Sequence, residues 1–251
     1  IEADLSNGLN PFLIISNAGS TDVGAVDPLE ELSDISHQYD TWHHTDGAYG
    51  GFFILTSKGK KQLRGIEMTD SITLDPHKGL FLSYGTGIVL VKEGEKLKDT
   101  FTESAGYMQD AIDLKNNWSP ADLSPELTRP FRGMRMWIPL KIHGVEKFVN
   151  ALEQKLLLAQ YFHEKVNNLG FETGKNPSLS IVPFRWAGSN EVNHKILDYI
   201  HNHCRVFISS TTIDNTYWLR AAILSVRTTL SDVDELLEGL KSALKSSEIR
   251  V

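Results

Sequence analysis

Two polar groups in the first third of the chain contain side chains that can take part in carbonyl chemistry. Asp46 provides a carboxylate, and the small residue Ala48 follows it two positions later. Lys78 provides a primary amine and directly follows His77. A lysine amine can hold an aldehyde as a Schiff base, and a carboxylate can keep a ring nitrogen protonated.

A third polar group contains two hydroxyl side chains, Ser20 and Thr21, directly after Gly19. Hydroxyl groups and the imidazole of His77 can bind a phosphate or a substrate carboxylate. Ala48 leaves room for a flat ring. The combined set is what pyridoxal phosphate requires: an amine for its aldehyde, a carboxylate for its pyridine nitrogen and polar groups for its phosphate.

Each of these residues also has an ordinary structural interpretation when it is taken alone. Lys78 and His77 could be surface side chains, and Asp46 could be the N-cap of a helix. The cofactor interpretation requires that these three clusters of polar residues lie close together in the folded chain. Whether they do depends on the strands that precede them.

Four short segments predict strands because they are apolar or rich in β-branched residues. They are Phe12–Ser16, Thr41–Asp46, Ser71–Leu74 and Thr86–Lys92. The first is continuously apolar, which is typical of a strand buried on both faces. A layered α/β domain is therefore expected, with ligands at the carboxyl ends of the strands, where all three polar groups lie.

A helix is predicted over residues 27–39, with Asp27 as its N-cap and Pro28 in its first turn. Its apolar face is formed by Leu29, Leu32, Ile35 and Tyr39. This helix would connect the first two strands of the sheet.

The second part of the chain predicts a small α+β domain. A long helix is expected over Val145–Leu169 and ends at Gly170. The segments after it are a strand over Leu179–Trp186, a helix over Asn190–His203, strands over Arg205–Ser209 and Tyr217–Leu224, and a helix over Ser231–Lys245. We place the domain boundary near residue 140, which gives domains of residues 1–140 and 141–251.

Composition excludes several classes of protein. The net charge of -7 does not provide the basic surface that nucleic-acid binding requires. No apolar run approaches the ~20 residues needed to cross a bilayer. A single cysteine, Cys204, cannot form an internal disulfide, and the nine histidines have no metal-binding spacing. We expect a soluble, cytoplasmic protein that holds no metal and binds neither nucleic acid nor membrane.

The segments Trp42–Gly51 (WHHTDGAYGG) and Asp70–Gly79 (DSITLDPHKG) resemble the two signature blocks of the group II pyridoxal-phosphate-dependent amino-acid decarboxylases. This family includes the aromatic-amino-acid, tyrosine, histidine and glutamate decarboxylases. Upstream, Asn17–Asp27 resembles the family's glycine-threonine loop, and downstream Phe131–Trp137 resembles its arginine-rich segment. The resemblance extends in order along essentially the whole chain.

The resemblance implies a fold-type I α/β large domain, of which residues 1–140 would form the carboxyl-terminal part. It also implies pyridoxal 5′-phosphate as cofactor, with Lys78 as the Schiff-base lysine and Asp46 as the partner of the pyridine nitrogen. The implied reaction converts an L-amino acid to its amine and carbon dioxide.

The resemblance assigns further residues to the site. Ala48 would pack against the ring, His77 would contact the phosphate, and Ser20 or Thr21 would lie near the cofactor or substrate. Tyr107 falls where the family's mobile loop carries a tyrosine that protonates the quinonoid intermediate. Aldehyde-forming relatives lack tyrosine there, so Tyr107 favours simple decarboxylation; the alternative is that it only packs the loop.

Family members are longer than this chain, and their amino-terminal half supplies a phosphate-binding loop and a histidine that stacks on the ring. Residues 1–5 read as the last turn of a helix, so we expect an upstream half that is cleaved, separate or absent from this sequence. His44 is expected to be a packed strand histidine rather than a substitute for the stacking residue. The resemblance also implies a homodimer with the active site at its interface.

Two alternatives remain open. Another fold-type I lyase would use the same residues, and a non-catalytic partner chain would stabilise or regulate a separate catalytic chain. Retention of Asp46, Lys78 and Tyr107 weighs against the second. The Pro130–Trp137 segment resembles the aromatic-acid branch most, which favours an aromatic substrate and leaves acidic substrates open.

Overall fold

The computed structural model describes residues 1–101 and 119–246. Its strands are β1 (Leu13–Asn17), β2 (Trp42–Asp46), β3 (Ser71–Leu74), β4 (Ile88–Val91), β5 (Glu172–Thr173), β6 (Ile181–Arg185), β7 (Ser209–Ile213) and β8 (Thr216–Ala222). Its helices are α1 (Glu2–Ser6), α2 (Leu29–Gln38), α3 (Ser57–Gln62), α4 (Pro76–Gly79), α5 (Gly94–Phe101), α6 (Met134–His143), α7 (Val145–Asn168), α8 (Asn190–His203) and α9 (Leu230–Lys245). None of the helices in these two ranges has the length and apolar character to span a membrane.

The first four strands form one sheet in the order β1-β2-β3-β4. β1, β2 and β3 are parallel, and β4 is antiparallel to β3. The connection from β1 to β2 contains α2, which is the kind of helical crossover that parallel neighbours require. The predicted layered α/β arrangement and its four strands are confirmed.

α2 covers one face of this sheet through a strip of residues that the periodicity did not predict. Its buried residues are Leu29, Ser33 and Ser36, whereas Ile35 of the predicted apolar face is 38% exposed. The serines face the sheet because the strand side chains there are polar: Ser33 Oγ lies 2.8 Å from Nδ1 of His43. The prediction that Leu29 is buried against the sheet is confirmed, and the prediction that Ile35 is buried there is wrong.

Two other local predictions are also wrong. Asp27 does not cap α2, because its carboxylate accepts hydrogen bonds from the backbone N–H and side-chain amide of Asn17, at 2.7 and 3.1 Å. β1 is not buried on both faces, since Leu13 and Ile15 are 39% and 61% exposed. α2 lies on the other face of the sheet, and β1 is an edge strand among the described residues.

The carboxyl-terminal strands form an antiparallel sheet in the order β5-β6-β8-β7. α7, α8 and α9 pack around a core that includes Phe162, Phe184, Ile196, Leu219 and Leu240. The α+β prediction is confirmed, but the strand predicted over 205–209 begins only at Ser209. The preceding segment turns toward α9 instead, where Arg205 N–H donates to Glu235 Oε1 at 2.7 Å.

α7 contributes to two apolar cores. Phe148 and Leu152 in its first half pack with the core of the first sheet, and Phe162 and Val166 in its second half pack with the core of the small sheet. The long helix therefore joins the two layers, and the domain boundary near residue 140 stays a prediction.

Candidate active site

The carboxyl ends of three parallel strands lie side by side at one end of the first sheet. In the strand register, Asp46 of β2 pairs with Asn17 of β1 and with Thr73 of β3. The pairing extends one residue further, because Ala18 N–H donates to the Asp46 carbonyl at 2.8 Å and Gly47 N–H to the Thr73 carbonyl at 2.9 Å. The loops that follow the three strands therefore begin at the same level, where ligands bind in open α/β sheets.

Asp46 is the last residue of β2 and is exposed. Strand alternation directs its side chain to the face opposite α2, since His43 and Thr45 are buried toward that helix. Its Oδ1 accepts a hydrogen bond from Ala48 N–H at 3.0 Å, which fixes the carboxylate over the turn. The alternative role as a helix N-cap is wrong, because the following 3₁₀ helix begins after Gly50.

Lys78 lies in α4, a single helical turn that directly follows β3. Pro76 occupies the first turn of α4, where its missing N–H is not needed. The Nζ of Lys78 is 2.8 Å from Oδ2 of Asp75, and the two side chains are 41% and 17% exposed. The amine is thus accessible at the carboxyl end of β3, with a carboxylate beside it.

His77 is held on several sides rather than free on the surface. Its Nδ1–H donates to the Thr86 carbonyl at 2.8 Å, and its Nε2 is 3.8 Å from Oδ2 of Asp75. The edge of the Tyr84 ring packs against it, with ring centroids 5.0 Å apart. Nδ1 is thus committed to the Thr86 carbonyl, and Nε2, which faces the Asp75 carboxylate, is the ring nitrogen left for a further partner.

Ser20 and Thr21 lie in a loop that closes on itself after β1. Ser20 N–H donates to the Ala25 carbonyl at 2.8 Å, and the Ser20 hydroxyl accepts a bond from Ala25 N–H at 3.2 Å. Gly19 and Gly24 have φ angles of +101° and +69°, a region that favours glycine. Thr21 is exposed at the tip of this loop.

β2 carries one histidine on each face, and both link strands. The ring of His43 is buried between the hydroxyls of Ser16 and Ser33, at 2.8 Å from each. Burial lowers the pKa of His43, so its ring is neutral at pH 7. His44 lies on the opposite face with its Nδ1 at 2.8 Å from Ser71 Oγ, as expected of a packed strand histidine.

Three residues of this region had no role predicted from the sequence: Tyr49, Arg220 and Asp75, the last of which belongs to the polar cluster that ends in Lys78. The Tyr49 hydroxyl lies 2.8 Å from Ser180 Oγ and accepts a bond from Ser180 N–H at 2.9 Å. Burial raises the pKa of Tyr49 to about 12. The three-residue spacing of Asp75 and Lys78 could have predicted their ion pair. The contacts of Tyr49 and Arg220 could not be predicted in this way, because their partners lie far away in the sequence.

The described residues at this end of the sheet fit a cofactor that carries an aldehyde, a ring nitrogen and a phosphate. Lys78 offers the amine, Asp46 an exposed carboxylate, the loop after β1 hydroxyl groups, and α4 the imidazole of His77. Tyr107 lies outside the described residues. Within residues 1–101 and 119–246, no group of three or more histidine, cysteine, aspartate or glutamate side chains is arranged to hold a metal ion.

The sequence profile described as the pyridoxal-dependent decarboxylase conserved domain matches residues 1–187. An aromatic-L-amino-acid decarboxylase of Bacillus atrophaeus is 32% identical and covers 99% of this chain and 54% of its own length. A protein of the same name from Manduca sexta is 28% identical over 97% of this chain and 48% of its own length. The chain therefore spans about half the length of the curated relatives it matches.

Solved structures of related proteins have the same fold. The Catharanthus roseus tryptophan decarboxylase in complex with L-tryptophan superposes with a TM-score of 0.86 at 28% identity, and covers 97% of this chain and 53% of its own. The Oryza sativa protein solved with pyridoxal phosphate and tryptamine gives a TM-score of 0.91 at 24% identity, over 97% and 52% of the two chains.

Replacing Gly50 with alanine should distort the turn that follows Asp46. A Cβ at this position would overlap the carbonyl oxygen of Ala18 and approach Leu179 Cδ1 to 2.5 Å. Overpacking of this kind costs about 1–3 kcal/mol of unfolding free energy, which urea denaturation followed by circular dichroism would measure.

The matched control is Gly133→Ala. Gly50 and Gly133 both have negative φ angles, but a Cβ on Gly133 would meet its nearest neighbour at an ordinary 3.4 Å. Its unfolding free energy should change by less than about 1 kcal/mol. An unfolding free energy of Gly50→Ala equal to that of the wild-type protein would contradict the close packing of this turn.

Proposed function

This chain belongs to the pyridoxal-dependent decarboxylase family, and from that membership we propose that it takes part in the pyridoxal-phosphate-dependent decarboxylation of an L-amino acid to its amine and carbon dioxide. The observation that carries the proposal is the register that pairs Asp46 with Thr73, with Lys78 in the helical turn directly after the same strand. A cofactor carboxylate and a cofactor lysine would then come from adjacent strands.

Pyridoxal phosphate, when bound, supplies a conjugated ring that accepts the electrons released at the substrate α-carbon. Lys78 presents its exposed amine to the cofactor's aldehyde. Asp46 holds a proton at the pyridine nitrogen, because a nearby negative charge favours the protonated form. The methyl side chain of Ala48 leaves space for a flat ring beside this carboxylate.

His77, Ser20 and Thr21 are the proposed partners for the phosphate or the substrate carboxylate. The bond between His77 Nδ1 and the Thr86 carbonyl orients the ring, so the proposed contact would use Nε2, beside the Asp75 carboxylate. Thr21 is exposed at the loop tip, where its hydroxyl can donate to an anionic oxygen.

Tyr107 is the proposed donor of the proton that takes the place of the departing carboxylate on the substrate α-carbon. A phenol is acidic enough for this role when it is positioned near the reacting atom, and a positioned acid accelerates such a step about 10²–10⁴-fold. Protonation at this carbon completes amine formation, so the donor decides the identity of the product.

The substrate class that we propose is the aromatic L-amino acids. Two relatives that match nearly the whole chain are named aromatic-L-amino-acid decarboxylases, and the Catharanthus roseus enzyme was solved with L-tryptophan. The Pro130–Trp137 segment, which resembles the aromatic-acid branch, supports the same class.

We further propose that additional polypeptide completes the pocket and that the working unit is a homodimer with its active site at the interface. The face of the first sheet that carries Asp46 also exposes Leu13 and Ile15 of β1. α6 exposes Trp137 and Ile142, at 56% and 71%. Exposed apolar surfaces of this kind are typical of faces that another polypeptide covers.

Replacing Lys78 with alanine should abolish covalent attachment of the cofactor, because no other group is proposed to bind its aldehyde. The unchanged protein, incubated with pyridoxal phosphate and reduced with borohydride, should carry a pyridoxyl adduct that peptide mapping assigns to Lys78. A native mass spectrum of the same sample should report two copies of the chain and any additional polypeptide.

Lys61→Ala, which removes an exposed lysine of α3, is the matched control and should keep the adduct. An adduct on a different lysine would contradict the site. Unchanged turnover in Lys78→Ala would instead favour the alternative that this protein is a non-catalytic partner of a separate catalytic chain.

Replacing Tyr107 with phenylalanine should lower the rate of amine formation about 10²–10⁴-fold while cofactor binding stays unchanged. Chromatography of the products would test this and would detect an aldehyde or a carbon–carbon lyase product. Tyr39→Phe is the control, because Tyr39 ends α2 at the opposite end of the sheet. An unchanged rate of amine formation in Tyr107→Phe would exclude Tyr107 as the proton donor.

A further inference from the structure

The loop that carries Ser20 and Thr21 is held by an arginine from the small sheet. Its two ends are joined by the bridge between Ala18 and Val26. One N–H of Arg220 donates to the Thr21 carbonyl at 2.5 Å, and its Nε–H donates to the Asp22 carbonyl at 3.0 Å.

Arg220 is well placed for this role because it lies in the centre of β8. Its backbone pairs with Ser209 on one side and Pro183 on the other, and its remaining terminal nitrogen donates to Ser209 Oγ at 3.1 Å. Burial lowers the pKa of Arg220, while Tyr49 and Asp22 oppose this shift. Among the described residues no carboxylate lies within ion-pair distance of its guanidinium. The charged group donates its hydrogen bonds to backbone carbonyls and a hydroxyl instead.

The geometry of the guanidinium matters as much as its charge. Arginine presents five N–H donors in a fixed planar fork, whereas lysine presents a single rotating ammonium group. The fork contacts two consecutive carbonyls of the loop and a hydroxyl of its own sheet at the same time. It therefore restrains the direction of the loop backbone as well as its distance from β8.

Two more contacts restrain the loop, the first of them to the same sheet. Thr211 of β7 donates to Oδ1 of Asp22 at 3.0 Å. Gly19 packs so closely against Leu179 and Tyr49 that a Cβ there would meet both at 2.9 Å. Thr211 and Arg220 thus hold the loop to the small sheet, whereas Gly19 packs against the turn after β2 and the segment before β6.

We propose that Arg220 is a positioning residue for the cofactor site: it fixes the Ser20–Asp22 backbone against the small sheet and so holds the Ser20 and Thr21 side chains at the carboxyl end of the first sheet. The proposal rests on the proposed function, because it assigns the loop to cofactor binding. The small domain would then contribute to the site without touching the reacting atoms.

The test combines hydrogen exchange with cofactor titration in Arg220→Gln. Loss of charge-assisted bonds should speed amide exchange in the peptide that covers residues 19–25 about 10-fold or more, with exchange in α9 unchanged. The Kd for pyridoxal phosphate should rise by about the same factor. Arg220→Lys keeps the charge without the fork and should give a smaller increase in both.

Arg185→Gln is the matched control, because Arg185 lies in β6 of the same sheet and donates to the Gly188 carbonyl and to Glu172, away from the loop. Its loop exchange and cofactor Kd should equal those of the unchanged protein. Unchanged loop exchange in Arg220→Gln, equal effects of Arg185→Gln, or faster exchange with unchanged Kd would each overturn the proposal.

If Arg220→Gln does not fold, the proposal is tested with Arg220→Lys alone. Amide exchange of residues 19–25 in Arg220→Lys equal to that in the wild-type protein would overturn the proposal. Failure of the proposed function would appear separately, as the absence of a pyridoxyl adduct on Lys78 in the unchanged protein. The exchange data would still decide whether Arg220 holds the loop.

Discussion

Backbone hydrogen bonds between β1, β2 and β3 fix the level at which three loops leave the sheet. Asn17, Asp46 and Thr73 lie in one row of the parallel ladder, and the next pair of bonds continues it into the turns. Because side chains alternate between faces, a slip of one residue would direct Asp46 toward α2 and Thr45 to the exposed face. A slip would also move the loop after β2 relative to Lys78. The chemistry proposed for these side chains therefore depends on the register.

Polar side chains specify this register more than apolar ones do. On the face covered by α2, His43 satisfies both ring nitrogens with serine hydroxyls from β1 and α2, and on the other face His44 contacts β3. A buried polar group that loses its partner costs about 1–3 kcal/mol, which is a large share of the 5–15 kcal/mol that stabilises a typical domain. A slipped register would break several of these bonds together. The small sheet adds a restraint through Arg220, and the bonds of Tyr49 to Ser180 tie the turn after β2 to the segment that precedes β6.

Local patterns were sufficient to predict most of the helices and strands. β-branched and apolar runs predicted all four strands of the first sheet, and residue type and spacing proposed Asp46 and Lys78 as cofactor residues, a role that stays a prediction. Patterns failed where tertiary partners override them. α2 turns Ser33 and Ser36 toward the sheet because the facing strand offers His43, and Asp27 binds Asn17 instead of capping the helix. The contacts of Arg220 with the loop after β1 have no local signature, since they exist only once two distant segments have folded together.

The central claim is that Asp46 and Lys78 act on the same cofactor. The most direct test is the ¹⁵N NMR spectrum of pyridoxal phosphate labelled at its pyridine nitrogen and bound to the protein at neutral pH. The account predicts a protonated pyridine nitrogen in the unchanged protein and an unprotonated one in Asp46→Asn, with the label attached to Lys78 in both. The same protonation state in both proteins would contradict it, because Asp46 would then have no contact with the ring that Lys78 holds.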